Sequence, residues 1–99
     1  MDKKQAREAI HLALHSGIGV VLQQHAEQRL MERGVRFQDV LWIVSGGTMR
    51  GDPRGHRLGF ECIMSGTTAD GVLLEVPIII DVQTKCVIVK TVIGKGRRR

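Results

Sequence analysis

The chain contains no tyrosine and few other aromatic side chains, namely Phe37, Trp42 and Phe60. Proteins that bind single-stranded nucleic acid by base stacking need a series of aromatic platforms. Base stacking therefore cannot be the main recognition device of this protein.

Cysteine is nearly as scarce, and Cys62 and Cys86 lie far apart in the sequence without a CxxC pair. This pattern lacks the ligand spacing of a structural zinc site. We expect two buried thiols, and a disulfide between neighbouring strands is the alternative. His11 and His15 could bind a metal only with further ligands, which the sequence does not supply, so we expect no metal site.

Long hydrophobic runs are also missing. The longest, from Val72 to Ile80, is interrupted by Glu75 and Pro77 and is too short to span a bilayer. The first residues do not form the apolar core of a signal peptide. These absences predict a cytoplasmic protein without a membrane segment.

Positive charge is in excess. The net charge is +5 and the isoelectric point is about 9.9, which favours nucleic acid, an acidic protein or an anionic surface as partner. Arg97, Arg98 and Arg99 contribute three of these charges, so a solubilising tail explains part of the excess. Nothing in the sequence points specifically to DNA.

The length of 99 residues is typical of one domain, and the hydrophobic fraction of 42% excludes bulk disorder. We find no internal repeats or linkers. The sequence predicts a single domain over residues 1–99 with a flexible basic tail from 94 to 99.

The first half of the chain has helical periodicity. Apolar residues with i, i+3, i+4 spacing predict a helix from about Lys3 to His15, with Asp2 as its N-cap and Gly17 at its end. The β-branched run from Ile18 to Leu22 predicts a short strand. Two further helices are expected, 24–34 and 37–45, and the second should bury the following side chains: Phe37, Val40, Leu41 and Val44.

The second half has a period of two. Gly51, Pro53 and Gly55 predict a mobile loop from Thr48 to His56. Three strands should follow as an antiparallel meander: Arg57–Met64, Val72–Asp81 and Cys86–Ile93. The predicted fold is α+β, with the helices packed on one face of a small, mainly antiparallel sheet.

His25, Arg29 and Arg33 are spaced i, i+4, i+8 on the second predicted helix. Each step of four advances about 40° around the helix, so the three side chains form one slanted polar stripe. In an alternative interpretation, the arginines pair with neighbouring carboxylates and extend over the core.

The motif His25-Ala26-x-x-Arg29-x-x-x-Arg33-Gly34-Val35, followed by Asp39-Val40, resembles the signature of a family of small bacterial domains of unknown function, number 4258 in that series. The resemblance continues through Arg57 to Val89-Lys90-Thr91-Val92 in the last strand. Gln23 and Arg36 depart from it, because the family commonly has Ser or Thr there as helix N-caps.

These domains are grouped with the RelE and BrnT toxins, which are small, basic, metal-independent ribonuclease-like folds often encoded beside an antitoxin. The resemblance implies a RelE/BrnT-like fold, RNA and an antitoxin protein as partners, and no cofactor. The implied function is a toxin-type endoribonuclease, and the alternative is a non-catalytic RNA- or protein-binding module of the same fold.

Metal-independent RNA cleavage requires a proton acceptor, a proton donor and cations at the phosphorane. Histidine is the residue type most often used to exchange protons near neutral pH, which makes His25 the candidate proton carrier of the motif. Arginines bind phosphate in bidentate fashion. The expected catalytic residues are His25, Arg29 and Arg57. The expected substrate-binding residues are Arg33, His56, Lys90 and Thr91. Alternatively, His25 only stabilises the start of its helix.

Overall fold

The structure is a computed structural model that describes residues 1–97. Within these residues, three helices and six strands follow one another. They are α1 (Lys3–Ser16), β1 (Gly19–Leu22), α2 (Gln24–Arg33), α3 (Phe37–Gly46), β2 (Thr48–His56), β3 (Gly59–Thr67), β4 (Val72–Asp81), β5 (Cys86–Val89) and β6 (Ile93–Arg97). None of the helices within residues 1–97 is long and apolar enough to cross a membrane.

The strands form one sheet in the order β1-β5-β4-β3-β2. Among the described strands, β1 and β5 pair in parallel and the other pairs are antiparallel. Strand β6 pairs with the first half of β4. The architecture is α+β with a mainly antiparallel sheet, as the change of hydrophobic period predicted. Strand β4 lies at the centre, which explains why it is apolar on both faces.

The helix ends follow local sequence signals. The Asp2 carboxylate accepts a hydrogen bond from the Gln5 N–H at 2.8 Å, and the Gln5 side chain accepts one from the Asp2 N–H, which makes a capping box at the start of α1. Gly34 ends α2 with a φ of 63°, a conformation that favours glycine.

The two departures from the family's capping pattern have different outcomes. At the start of α2, the Gln23 side chain makes no capping hydrogen bond. At the start of α3, the Arg36 N–H donates to the Asp39 carboxylate at 3.2 Å. A Ser or Thr hydroxyl at position 36 would instead accept a hydrogen bond from an N–H inside the helix. Asp39 therefore supplies only the reciprocal half of a capping box at the start of α3.

The core lies between one face of the sheet and the helices. Ala6, Ile10 and Ala13 of α1 pack with side chains of α3 and with alternate residues of the central strands. Ile78 and Ile80 of β4 have exposed fractions of 0% and 1%, so the central strand contributes fully buried side chains to this core. Cys62 and Cys86 are buried free thiols, so the alternative of a disulfide is wrong.

The segment from Thr48 to His56 is not a loop but the edge strand β2, so this prediction is wrong. It pairs with β3 on both sides of an irregularity between Arg50 and Arg54. Gly51 lies in this bulge with a φ of 74°. Edge strands and bulges tolerate Gly and Pro, because a ladder hydrogen bond is needed on one side only.

The predicted last strand, Cys86–Ile93, is not continuous in the structure. Strand β5 ends at Val89, and β6 begins at Ile93. The cause lies on β4, where the Pro77 carbonyl accepts a hydrogen bond from the Lys90 N–H at 3.0 Å. In an antiparallel pair, the N–H and C=O of one residue point to the same neighbouring strand. Proline has no N–H, so Pro77 cannot donate the second hydrogen bond that would pair it with Lys90. The ladder therefore breaks between Val89 and Ile93.

Two further expectations differ from the structure. Residues 94–97 of the predicted tail belong to β6, while Arg98 and Arg99 lie outside the described residues.

The buried face of α3 also differs from the prediction. Phe37 is 41% exposed, and Ile43 is fully buried. Phe37 is the first residue of α3, and the buried stripe of this helix runs through Val40, Ile43 and Val44 at i, i+3, i+4 spacing.

Candidate functional site

The polar stripe of α2 begins with a contact between two of its predicted members. Arg29 Nε donates to His25 Nε2 at 3.5 Å, and Arg29 Nη1 donates to the Glu32 carboxylate at 3.0 Å. The His25 ring is exposed. A ligand would therefore meet the imidazole directly, whereas the charge of Arg29 is already partly compensated by Glu32.

The third member of the stripe has a structural contact. Arg33 Nε donates to the Val92 carbonyl at 3.2 Å. A Cβ atom placed on Gly94 would lie 2.7 Å from Arg33 Nη1. Arg33 therefore joins α2 to the chain at the start of β6.

His56 and Arg57 lie at the turn between β2 and β3. His56 Nδ1 accepts a hydrogen bond from the Leu58 N–H at 3.1 Å. A neutral ring that accepts at Nδ1 carries its proton on Nε2. Arg57 is exposed, and within residues 1–97 no contact joins it to His25 or Arg29. Of the predicted catalytic residues, His25 and Arg29 are thus in contact with each other, and Arg57 makes no hydrogen bond or ion pair with them among residues 1–97.

A cleft lies on the sheet face opposite α1 and α3, which we call the uncovered face. It has a volume of about 550 Å³ and is lined by β2 residues 50–54, by β3 residues 61–63, by Pro77 and Ile78 of β4, and by Lys90. Because β2 bulges between Arg50 and Arg54, two extra residues form one wall of the cleft. This volume is within the usual range for ligand pockets, about 300–1,000 Å³.

Three cations and two carboxylates line the cleft. Lys90 Nζ lies 3.5 Å from Glu61 Oε2. Arg50 and Arg54 are exposed and have no ion pair or side-chain hydrogen bond among the described residues. Asp52 adds the second carboxylate. Two guanidinium groups are therefore available to an anionic ligand.

Of the predicted binding residues, Lys90 lines the cleft and Thr91 follows it in the chain. Strand register places His56 on the same face as Arg54, because their partners Gly59 and Glu61 are two residues apart on β3. Arg50 and Arg54 were missed. The sequence pattern that could have revealed them is the polar residue at every second position, 50, 52, 54 and 56, which is typical of one face of a strand. The glycines and the proline between these positions favoured a loop instead.

The cysteines are poor nucleophiles. Burial raises the pKa of the Cys62 thiol to about 11, although the charge of Arg7 opposes this shift. Burial also raises the pKa of Cys86, and the Asp81 carboxylate adds to the effect. Only the thiolate is reactive.

Among residues 1–97, no three His, Cys, Asp or Glu side chains are grouped so that they could hold a metal ion.

Together these features define an α+β domain with helices on one sheet face and a cationic cleft on the other. Residues 22–93 match the family described as a domain of unknown function, DUF4258. The match covers most of the chain, so the chain belongs to this family. No curated protein and no solved structure matches it.

Proposed function

We propose that this protein is a RelE/BrnT-like module that binds single-stranded RNA through its phosphates, with the cleft on the uncovered face as the binding surface. The observation that carries the proposal is a pair of arginines, Arg50 and Arg54, which line the same cleft as Lys90 and form no ion pair among the described residues. A guanidinium binds a phosphate with two parallel hydrogen bonds. The net charge of +5 supports the same class of partner.

We expect the cleft to contact the phosphates of the RNA rather than its bases, because of the side chains that line it. Its lining includes Arg50, Arg54 and Lys90 but no aromatic side chain. Base stacking requires aromatic faces, whereas phosphate binding requires only cations and hydrogen-bond donors. We therefore expect weak sequence preference and strong dependence on salt.

RNA binding is tested by fluorescence anisotropy with a 2′-O-methyl oligonucleotide, which cannot be cleaved at its 2′ position. Each neutralised phosphate contributes about −0.7 to the slope of log K against log salt. The double variant Arg50→Ala/Arg54→Ala should weaken binding and reduce the slope by about 1.4 if each arginine contacts one phosphate.

The matched control is Lys3→Ala/Lys4→Ala, which removes the same charge from the exposed start of α1. This control should retain nearly all of the affinity. Equal losses in the two double variants would mean that diffuse charge attracts RNA, and the cleft would then lose its assigned role. Binding that is absent at low salt would overturn the RNA proposal.

Cleavage is the second candidate function, as a metal-independent endoribonuclease of a toxin–antitoxin system in the cytoplasm. The observation that favours it is the exposed His25 ring beside Arg29 Nε. On this proposal an antitoxin protein is a second partner. Expression of the chain alone should slow bacterial growth, and co-expression of a neighbouring antitoxin-like frame should restore it. Normal growth at high expression would count against the toxin role.

A further inference from the structure

The cleft contains a carboxylate among its cations. Glu61 of β3 lies opposite Arg54 of β2 in the strand register, and its Oε2 atom is 3.5 Å from Lys90 Nζ. The Glu61 and Lys90 side chains are 33% and 43% exposed. Both groups are therefore accessible to a molecule that enters the cleft.

The Glu61–Lys90 pair has a close counterpart on the same face of the sheet. Glu75 and Lys95 also form an ion pair with an N···O distance of 3.5 Å, but neither lines the cleft. Both pairs are longer than the 2.7–2.9 Å that is typical of a charge-assisted hydrogen bond. Arg50 and Arg54 line the same cleft as the Glu61–Lys90 pair. Of the two ion pairs, the Glu61–Lys90 pair is therefore the one that lies beside the proposed phosphate-binding arginines.

We infer that Glu61 and Lys90 are the general base and the general acid of an RNA-cleaving site in this cleft. The inference rests on the proposed RNA binding, because the arginines must hold the phosphate beside the pair. Glu61 takes the proton of a ribose 2′-hydroxyl. The 2′-oxygen then attacks phosphorus and forms the new O–P bond, while the P–O5′ bond breaks.

Lys90 donates a proton to the departing 5′-oxygen. The products are a 2′,3′-cyclic phosphate and a 5′-hydroxyl. The proton on Glu61 then returns to the Lys90 amine across their contact, which restores both charges. Arg50 and Arg54 bind the non-bridging oxygens, where negative charge grows in the transition state. No oxidant, reductant or metal ion takes part in this reaction.

Glu61 suits the role of base better than the histidine on the same face. His56 Nδ1 already accepts a hydrogen bond from the Leu58 N–H. A neutral His56 ring therefore offers an Nε2–H donor, which can bind a phosphate oxygen but cannot accept a proton at that atom. The Glu61 carboxylate has acceptor oxygens and lies opposite Arg54.

The test uses the full chain and a mixed-sequence oligoribonucleotide, with its 2′-O-methyl analogue to measure binding. We expect the wild-type protein to produce 2′,3′-cyclic phosphate ends in the presence of EDTA. Glu61→Gln should reduce the cleavage rate about 10²–10⁴-fold, the usual contribution of general acid–base catalysis. It should bind the analogue at least as tightly as the wild-type protein, because a negative charge leaves the cleft.

Lys90→Arg tests the acid, because a guanidinium keeps the charge but does not release its proton near neutral pH. We expect it to retain binding and to cleave much more slowly. Glu75→Gln is the control, since it breaks an ion pair of equal length outside the cleft and should cleave normally.

Unchanged cleavage by Glu61→Gln, or an equal loss in Glu75→Gln, would overturn the assignment. Wild-type protein that binds the analogue but yields no cyclic phosphate would overturn this inference and leave RNA binding intact. Failure to bind the analogue at low salt would remove the proposed function itself. Melting temperatures of all variants separate loss of chemistry from loss of fold.

Discussion

Arg33 on α2 donates from Nε to the carbonyl oxygen of Val92, 3.2 Å away and 59 positions later in the chain. This hydrogen bond connects the second helix to the residue that precedes β6. The stripe predicted from His25, Arg29 and Arg33 is thus divided between two roles. Its first member is open to solvent, and its last member joins two parts of the fold.

We expect Arg33→Ala to lower the free energy of unfolding by about 1 kcal/mol, the net contribution of a typical hydrogen bond. Urea denaturation measures this change. Arg57→Ala is the control, because Arg57 is an exposed turn residue without an ion pair among residues 1–97, and it should change stability by less than about 0.5 kcal/mol. Equal stability of the two variants would contradict a structural role for Arg33.

The terminal arginines should contribute to RNA binding without being required for it. Replacement of Arg97, Arg98 and Arg99 by serine should make the salt slope shallower, because fewer counterions are released. Measurable binding should remain at low salt, since Arg50, Arg54 and Lys90 are unchanged. Anisotropy titrations at several salt concentrations measure both quantities. Complete loss of binding would place recognition in the tail.

His25→Ala tests the hypothesis that the helix supplies the proton carrier. On that hypothesis the variant loses about 10²–10⁴-fold in RNA cleavage. Its melting temperature should be unchanged, since His25 is exposed and accepts its hydrogen bond from the neighbouring Arg29 of the same helix. A destabilised variant would instead indicate that His25 supports the helix start. Cleavage that survives in His25→Ala and disappears in Glu61→Gln would assign the chemistry to the sheet.

Arg29→Ala tests the phosphate contact that was predicted on the same helix. On the hypothesis that the helix stripe binds RNA, the variant lowers both affinity and rate, because a phosphate contact serves the ground state and the transition state alike. It also breaks the ion pair with Glu32, which is partly exposed and worth at most about 1 kcal/mol. Affinity, rate and melting temperature should be measured on one sample. Unchanged affinity would contradict a phosphate contact at Arg29.

The buried thiols should be inert in the folded protein. With the Cys62 pKa raised to about 11 by burial, only about a thousandth of this thiol is ionised at pH 8. Ellman's reagent should therefore react slowly with the native protein and rapidly after denaturation. Fast reaction of the native protein at neutral pH would contradict the burial of both cysteines.

The same shift has a consequence for stability. A thiol whose pKa is raised by folding keeps its proton in the folded state at pH values where it is ionised in the unfolded state. The free energy of unfolding should therefore fall as pH rises above the ordinary thiol pKa of about 8.5. Cys62→Ala should weaken this alkaline dependence, which denaturation curves at a series of pH values would show.

The sequence alone determined those elements whose signals are local. The helical spacing of Ala6, Ile10 and Ala13 and the cap at Asp2 predicted α1, and Gly34 predicted the end of α2. Strands β3 and β4 followed from alternating or continuous apolar residues. Side-chain periodicity and capping act within a few residues, so they can be read from one segment at a time.

Only the tertiary structure decided the identity of β2, the break between β5 and β6, and the composition of the cleft. Pairing with β3 makes a strand of a segment whose Gly and Pro residues predict a loop. Pro77 interrupts the ladder opposite Lys90. Backbone hydrogen bonds in a sheet join residues that are distant in sequence, and the local pattern does not specify the partner. For the same reason Arg50, Glu61 and Lys90 come together only when the sheet forms.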